Sequence, residues 1–155
     1  MAPSQPRVNI LVVDGNIGMR SILTAVLRAL GFTSIHLADD GDEALTMIPK
    51  VKPDLIIADL YLPVSESLSF IRTLRADEAS AFSMVPIIVA TGHPEDAHVR
   101  ACLAAGVDHL LAKPVTGRTL ADRILRVINE DRVFVRTDDY IGPQRSPAVA
   151  ALLAS

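Results

Sequence analysis

Runs of aliphatic residues alternate along the chain with longer segments whose apolar residues recur every three or four positions. The runs predict short buried strands, at residues 8–13, 34–38, 54–58, 86–90 and 109–112. The segments that follow them predict helices, at residues 17–30, 42–49, 65–76, 95–105 and 117–130. This succession of strand–helix units is typical of an α/β fold, in which a parallel sheet is covered by helices on both faces.

Local signals mark the helix ends, and apolar spacing predicts the core-facing side chains. Asp40, with Glu43 three positions later, has the capping-box arrangement at the start of the second helix. Gly31 and Gly106 are suited to end the first and fourth helices. The side chains predicted to share one face are Ile17, Ile22, Val26, Leu27 and Leu30 in the first helix, Leu68, Ile71, Leu74 and Arg75 in the third, and Leu120, Ile124, Val127 and Ile128 in the fifth.

Composition narrows the class of protein. The chain has 155 residues, half of them apolar but only 4% aromatic, so one domain with a core of Val, Ile, Leu and Ala is expected. A net charge of −3 argues against nonspecific nucleic-acid binding. No apolar run is long enough to span a bilayer. The single cysteine, Cys102, excludes an internal disulfide, and residues 1–8 lack a signal-peptide pattern, so a cytoplasmic protein is predicted.

Polar residues stand at the ends of four predicted strands. Asp14 and Asp59 each follow an aliphatic run, and Thr91 and Lys113 do the same further along the chain. The carboxyl ends of parallel strands meet at one edge of the sheet, where ligands bind in α/β folds. Two carboxylates, a hydroxyl and an ammonium are therefore expected to converge there.

Four stretches around these positions resemble the receiver domains of two-component response regulators. They read ILVVDGN at 10–16, PDLIIADLYLP at 53–63, PIIVATGH at 86–93 and AAGVDHLLAKP at 104–114. The resemblance implies a CheY-like, stand-alone receiver with a flavodoxin-like three-layer fold, whose five parallel strands have the order 2-1-3-4-5. It divides the chain into an N-terminal extension at 1–6, a receiver domain at 7–130 and a C-terminal tail at 131–155.

The resemblance also implies a role for each strand-end residue. Asp59 matches the phosphoacceptor, Lys113 the lysine that pairs with it and holds phosphoryl oxygens, and Thr91 the hydroxyl that reads phosphorylation. A magnesium ion would be bound by Asp14, Asp59 and the backbone carbonyl of Tyr61. Each residue also has a structural interpretation: a strand-end or helix-capping carboxylate, a lysine in a turn, or a β-branched strand residue.

Several positions depart from the family pattern, including Ser67, which replaces a glycine in the stretch after Pro63. Receivers usually carry two adjacent acidic residues after the first strand, and here Gly15 replaces the second. The loss of one anionic ligand predicts weaker magnesium binding. Leu110 occupies the position of the family's aromatic switch residue, with His109 beside it.

Two further features have open interpretations. His93 and His98 suggest a metal site, but they lack cysteine partners and are predicted to be surface residues. In the tail, RVFVRT predicts a strand, GPQRSP a break and AVAALLA a short helix. The tail could be disordered, pack on its own domain or contact a partner; its apolar residues favour the last two.

The preferred function is phosphorelay signalling. The receiver would accept a phosphoryl group on Asp59 from a histidine kinase or histidine phosphotransfer protein and signal through a downstream protein, without nucleic acid, membrane or enzymatic turnover; a homodimer is left open. The alternative is a phosphorylation-independent interaction module whose metal site has weakened at Gly15. A nucleotide-binding flavodoxin-like enzyme is disfavoured, because no glycine-rich phosphate loop follows the first strand.

Overall fold

The strands and helices follow the predicted alternation. The computed structural model describes residues 7–59, 64–92 and 96–154. Its parallel sheet has the order β2-β1-β3-β4-β5, and its strands are β1 (Asn9–Val13), β2 (Ser34–Ala38), β3 (Leu55–Asp59), β4 (Ile87–Thr91) and β5 (His109–Ala112). The connecting helices are α1 (Ile17–Ala29), α2 (Gly41–Val51), α3 (Val64–Ala76), α4 (Asp96–Ala104) and α5 (Gly117–Asn129). The flavodoxin-like fold predicted from the resemblance is therefore confirmed.

Aliphatic side chains alternate between the two faces of the sheet and form a core on each. One core joins the sheet to α2, α3 and α4, through residues that include Leu11, Ile56, Val89, Ile48, Ile71 and Cys102. The other joins it to α1 and α5, through residues that include Ile10, Ile57, Ile88, Leu27, Leu120 and Ile124. Because both faces are covered, the central strands β1, β3 and β4 are aliphatic over most of their length rather than alternately polar.

The helix ends confirm some of the predicted signals and correct others. The Asp40 side chain caps α2 by accepting from the Glu43 amide at 2.8 Å. Helix α1 is capped by Asn16, whose side chain accepts from the Met19 amide, so the alternative of Asp14 as the cap is wrong. Gly31 and Gly106 follow their helices with φ of +100° and +96°, a conformation in which glycine has no Cβ clash.

The predicted core face of α1 is partly wrong. The buried side chains of this helix are Leu23 and Leu27, whereas Ile17 is 71% and Ile22 51% exposed. In α5, Ile128 is also exposed, while its other three predicted side chains are buried. The register predicted for α3 is confirmed, because Leu68, Ile71, Leu74 and Arg75 are all buried.

The residues after α5 fold against the receiver. Strands β6 (Phe134–Arg136) and β7 (Ile141–Pro143) form an antiparallel hairpin, and helix α6 (Pro147–Ala154) follows. We call residues 131–154 the C-terminal extension. The strand and the helix predicted there are confirmed, but Gly142 and Pro143, predicted as part of a break, lie in β7. None of the helices in the described ranges is long and apolar enough to cross a membrane.

A buried ion-pair network attaches this extension. Arg75, 1% exposed, donates to Asp108 at 2.9 Å and to the carbonyls of Gly106, Ser83 and Val85. Arg132 from the extension pairs with the other oxygen of Asp108, also at 2.9 Å. The Phe134 ring lies beneath both guanidinium groups, at 5.2 and 5.5 Å from their carbons. Asp108 thus joins α3, the start of β5 and the extension.

Candidate functional site

Asp59 and Lys113 meet at the carboxyl edge of the sheet. Asp59 is the last residue of β3, and Lys113 follows the last residue of β5. The Lys113 ammonium donates to Asp59 Oδ2 at 2.5 Å. The Asp59 side chain is 1% exposed and that of Lys113 29%. The pair therefore has a buried carboxylate and a cation that solvent can reach.

The surroundings of Asp59 do not fully stabilise its ionised carboxylate. Burial raises its pKa, the hydrogen bond from Lys113 lowers it, and the nearby charge of Asp14 raises it again, with a net increase above the ordinary value. The other Asp59 oxygen, Oδ1, is buried and receives no hydrogen bond within the described part of the chain. A further cationic group would therefore stabilise the ionised form.

Asp14 brings the second carboxylate to this edge from the end of β1. Asp14 is 1% exposed, and its Oδ1 accepts a hydrogen bond from the Asn16 amide at 2.8 Å. Its own amide donates to the Ala38 carbonyl of β2 at 3.0 Å. Gly15, which follows, is exposed and has no side chain that could bind a cation. The acidic pair of this site thus comes from two strands.

Thr91 ends β4, between the strands that carry Asp59 and Lys113. In the sheet register Asp59 lies opposite Ala90, so Thr91 is one position beyond it. The Lys113 amide donates to the Thr91 carbonyl at 3.0 Å, which ties the ends of β4 and β5 together. Thr91 is 7% exposed, and its Oγ1 lies 2.9 Å from Nε2 of His98. The structure thus brings all four strand-end residues to one edge.

The prediction that His98 is a surface residue is wrong. His98 lies on α4 and is 8% exposed, with its imidazole turned toward β4. The helical spacing of His98, Cys102 and Ala105 could have revealed this, because residues four and three apart share a helix face. Cys102 and Ala105 are both buried in the core beneath α4. His93 lies outside the described residues.

The turn after β5 positions Lys113. The Lys113–Pro114 peptide bond is cis. Gly92, after Thr91, faces the aliphatic stem of Lys113, whose Cδ would lie 3.8 Å from a Cβ built at that glycine. Leu110 packs against the core that lies beneath α4. Nε2 of His109 lies within hydrogen-bond distance of Oε2 of Glu130, at 3.0 Å. Neither Leu110 nor His109 contacts the four strand-end residues, Asp14, Asp59, Thr91 and Lys113, in any described interaction.

The donor set suits a hard cation with few protein ligands. Asp14 and Asp59 provide carboxylate oxygens, including the buried Oδ1 of Asp59 that has no hydrogen bond. Tyr61, whose backbone carbonyl was predicted as the third ligand, lies outside the described residues. Among the described residues no group of three His, Cys, Asp or Glu side chains could hold a metal ion. Magnesium retains several waters and needs only one or two carboxylates, so the residues present fit it.

The chain is similar in sequence to known proteins. The model of the response regulator receiver domain matches residues 10–125. MtrA of Mycobacterium tuberculosis, a DNA-binding response regulator, is 36% identical over 118 residues, which are 76% of this chain and 49% of that protein. The chain thus spans about half the length of the MtrA relatives that it matches. The chemotaxis protein CheY-3 of Vibrio cholerae is 31% identical over 129 residues, 83% of this chain and 93% of that one.

Solved structures have the same fold. CheY4 of Vibrio cholerae has a TM-score of 0.70 at 29% identity, covering 79% of this chain and 99% of its own. The co-crystal structure of the Saccharomyces cerevisiae histidine phosphotransfer protein Ypd1 and the receiver domain of Ssk1 has a TM-score of 0.67 at 28% identity, covering 81% of this chain and 91% of that one. The chain therefore belongs to the response regulator receiver domain family of two-component phosphorelay systems.

Proposed function

We propose that this receiver accepts a phosphoryl group on Asp59 from a phosphohistidine of a histidine kinase or phosphotransfer protein. The observation that carries the proposal is the 2.5 Å contact between Lys113 Nζ and Asp59 Oδ2, beside a second Asp59 oxygen with no described hydrogen bond. Lys113 thus holds one oxygen of the buried carboxylate, and the other oxygen has no described hydrogen bond. A cation already lies where phosphoryl oxygens would need one.

The transfer is a displacement at phosphorus. A carboxylate oxygen of Asp59 forms the new P–O bond while the N–P bond of the phosphohistidine breaks. The imidazole nitrogen of the donor keeps the electron pair and takes up a proton. Lys113 then pairs with phosphoryl oxygens in place of the free carboxylate, so its charge is not left unpaired.

Magnesium fits this site. Asp14 and Asp59 would hold it, with the Tyr61 carbonyl as the remaining proposed ligand. When bound, the ion supplies positive charge that offsets the anionic oxygens of both reactants. The raised pKa of Asp59, caused first by burial and then by the Asp14 charge, supports a cation at this edge. Because Gly15 contributes no ligand, we expect weak binding.

Helix α1 offers a surface for the phosphodonor. It begins at Ile17, directly after Asn16, whose amide donates to the Asp14 carboxylate, and so the start of the helix borders the acidic edge. Ile17 and Ile22 are 71% and 51% exposed on it. Exposed apolar side chains beside a polar site favour a protein partner over a small molecule. The Ypd1–Ssk1 complex, whose Ssk1 receiver domain shares this fold, supports a phosphotransfer partner.

We further propose that the output is a contact with a downstream protein. The added charge of about −1.5 to −2 on phosphorylation is read by Thr91 and Lys113. These residues end β4 and precede α5, so the face formed by α4, β5 and α5 is the surface that would respond. The single buried thiol, Cys102, supports a cytoplasmic setting.

Intact-mass spectrometry tests the phosphoacceptor directly. The full chain is incubated with Mg²⁺ and acetyl phosphate, or with a phosphorylated histidine phosphotransfer domain, beside Asp59→Asn as the matched variant. One added phosphoryl group on the native chain and none on the variant is expected. An adduct of equal yield on both proteins would move the acceptor elsewhere.

A second candidate function is a receiver that binds its partner without phosphorylation. The exposed Gly15, in place of an acidic ligand, is the observation that favours it. This function predicts no adduct from either donor and no response of the acidic edge to Mg²⁺. The same mass experiment therefore separates the two candidates.

A further inference from the structure

We infer that His98 couples the Thr91 hydroxyl to helix α4 and, through that helix, to the C-terminal extension. The primary observation is the 2.9 Å distance between Thr91 Oγ1 and His98 Nε2, with both residues more than nine-tenths buried. The inference rests on the proposed function in one respect: phosphorylation of Asp59 is what would turn Thr91. The coupling itself is a property of the protein without phosphate.

The hydrogen bond with His98 restricts the position of the Thr91 hydroxyl oxygen. Whichever atom carries the shared proton, the hydrogen bond needs Oγ1 within bonding distance of Nε2. A Thr91 rotamer that turns toward a phosphoryl group on Asp59 carries Oγ1 away from the ring. Thr91 lies one register position beyond the residue paired with Asp59, so it is suited to such a turn. A phosphoryl group on Asp59 that accepts from Thr91 therefore changes the contact with His98, because the hydroxyl either leaves the ring or turns its proton from the ring to the phosphoryl oxygen.

His98 transmits that change because it is fixed to α4. A buried imidazole that loses a polar contact is less stable in its original position, which favours a ring rotation or a shift of its helix. Cys102, one turn further along α4, and Ala105, directly after the helix, are packed in the core, so this side of α4 faces the sheet and the ring cannot simply move into solvent. Leu110, at the position where the family has its aromatic switch residue, is apolar and cannot provide this polar link.

The far end of α4 carries the extension. The Arg145 guanidinium donates to the carbonyls of Leu103, at 3.0 Å, and Val107, at 2.5 Å, where α4 ends. It also lies over the Tyr140 ring, 5.6 Å from its centre. Arg145 immediately precedes Ser146 and helix α6, so a displacement of the α4 terminus displaces α6 as well.

The other end of the extension is attached to a different element. Arg132 pairs with Asp108, which also accepts the Ile87 amide of β4 at 2.9 Å. The extension therefore connects a fixed point at the sheet to the end of α4. A change in the distance between those two points must alter the extension itself. A movement of α4 would then change the surface that the C-terminal extension presents to a partner.

Amide NMR of the full chain tests the coupling without any ligand. Thr91→Val keeps the side-chain shape and removes the hydroxyl, and it is expected to shift amides of α4 and of the extension, such as Val135 and Ala150. In a His98→Phe background, which keeps a ring but has no Nε2, the same change is expected to leave the extension unshifted. Extension shifts of equal size in both backgrounds, or none in either, would overturn the inference.

The second arm adds Mg²⁺ and beryllofluoride to the native chain, His98→Phe, His98→Gln and Arg145→Met. We expect shifts near Lys113 in all four, and extension shifts only in the native chain and His98→Gln, whose amide can reach the Nε2 position. Site shifts in the native chain without extension shifts would refute the coupling. No shifts near Lys113 in the native chain would instead refute the proposed function, and the ligand-free arm would still decide the coupling.

Discussion

Lys113 Nζ lies 2.5 Å from Oδ2 of Asp59, a residue 54 positions earlier in the chain. The two residues belong to the ends of β5 and β3, and β4 lies between those strands in the sheet. Lys113 lowers the pKa of Asp59, but burial and the Asp14 charge outweigh it. The site thus retains an unfavourable negative charge in the folded protein, which a metal ion or a covalent phosphoryl group would relieve.

The Lys113 charge predicts the affinity for a phosphate mimic. Lys113→Met is expected to weaken beryllofluoride binding by about tenfold to a hundredfold, since hydrogen bonds to charged groups contribute about 1.5–3 kcal/mol. Calorimetric titration in excess Mg²⁺ measures it. Lys113→Arg, which retains the positive charge, serves as the control and should lose less. Equal affinities for the native and Met proteins would show that Lys113 does not contact the bound mimic.

The raised pKa of Asp59 predicts how stability depends on pH. The folded state holds the Asp59 proton more tightly than the unfolded state does, so ionisation of this group costs stability above its folded pKa. Asp59→Asn is expected to unfold at a higher urea concentration at neutral pH. The difference between the two proteins should shrink as the pH falls through the folded pKa, because the native carboxyl becomes neutral. A difference that grows on acidification would contradict the direction of this pKa shift.

Gly15 predicts that magnesium affinity can be increased. Gly15→Asp places a carboxylate directly after Asp14, at an exposed position, and more anionic ligands bind such cations more tightly. We expect a Kd for Mg²⁺ lower by about tenfold, the effect of one added charged ligand. Gly15→Asn is the control for the loss of glycine without added charge. An Asp variant that binds no better than the Asn variant would show that this position does not face the ion.

The fold could be predicted from the sequence because its signals are local. Aliphatic runs mark β1 and β3, and a carboxylate after each marks the sheet edge. The core face of α1 could not be read correctly, because Ile17 and Ile22 are as apolar as Leu23 and Leu27. Which of them is buried depends on where α5 and the sheet lie, and helical spacing alone does not contain that information.

The polar contacts between elements were the least predictable part. The convergence of Asp14, Asp59, Thr91 and Lys113 follows from parallel strands, whose ends share one edge. The contact of His98 with Thr91 depends on the position of α4 over β4. The pairing of Arg132 with Asp108 depends on the return of the extension to α3. Neither pair has a fixed sequence spacing, so no local pattern predicts it.

The buried thiol of Cys102 predicts low chemical reactivity. Burial raises its pKa to about 11, so almost none of it is thiolate at neutral pH. We expect iodoacetamide to leave the native protein unlabelled and to label it once in urea, as measured by intact mass. Cys102→Ser should remain unlabelled in both conditions. Rapid labelling of the native protein would mean that α4 opens often enough to expose its core face.

Asp108 predicts how strongly the C-terminal extension depends on the buried network. Asp108→Ala leaves the Arg75 guanidinium, 1% exposed, without its carboxylate and is expected to cost about 3–5 kcal/mol in the free energy of unfolding. The pKa of Arg75 is already lowered to about 10, chiefly by burial, which indicates how poorly that charge is solvated. Asp131→Ala, at an exposed carboxylate of the extension, should change stability by less than about 0.5 kcal/mol. Urea unfolding measures both, and equal losses would mean that Arg75 finds other partners when Asp108 is removed.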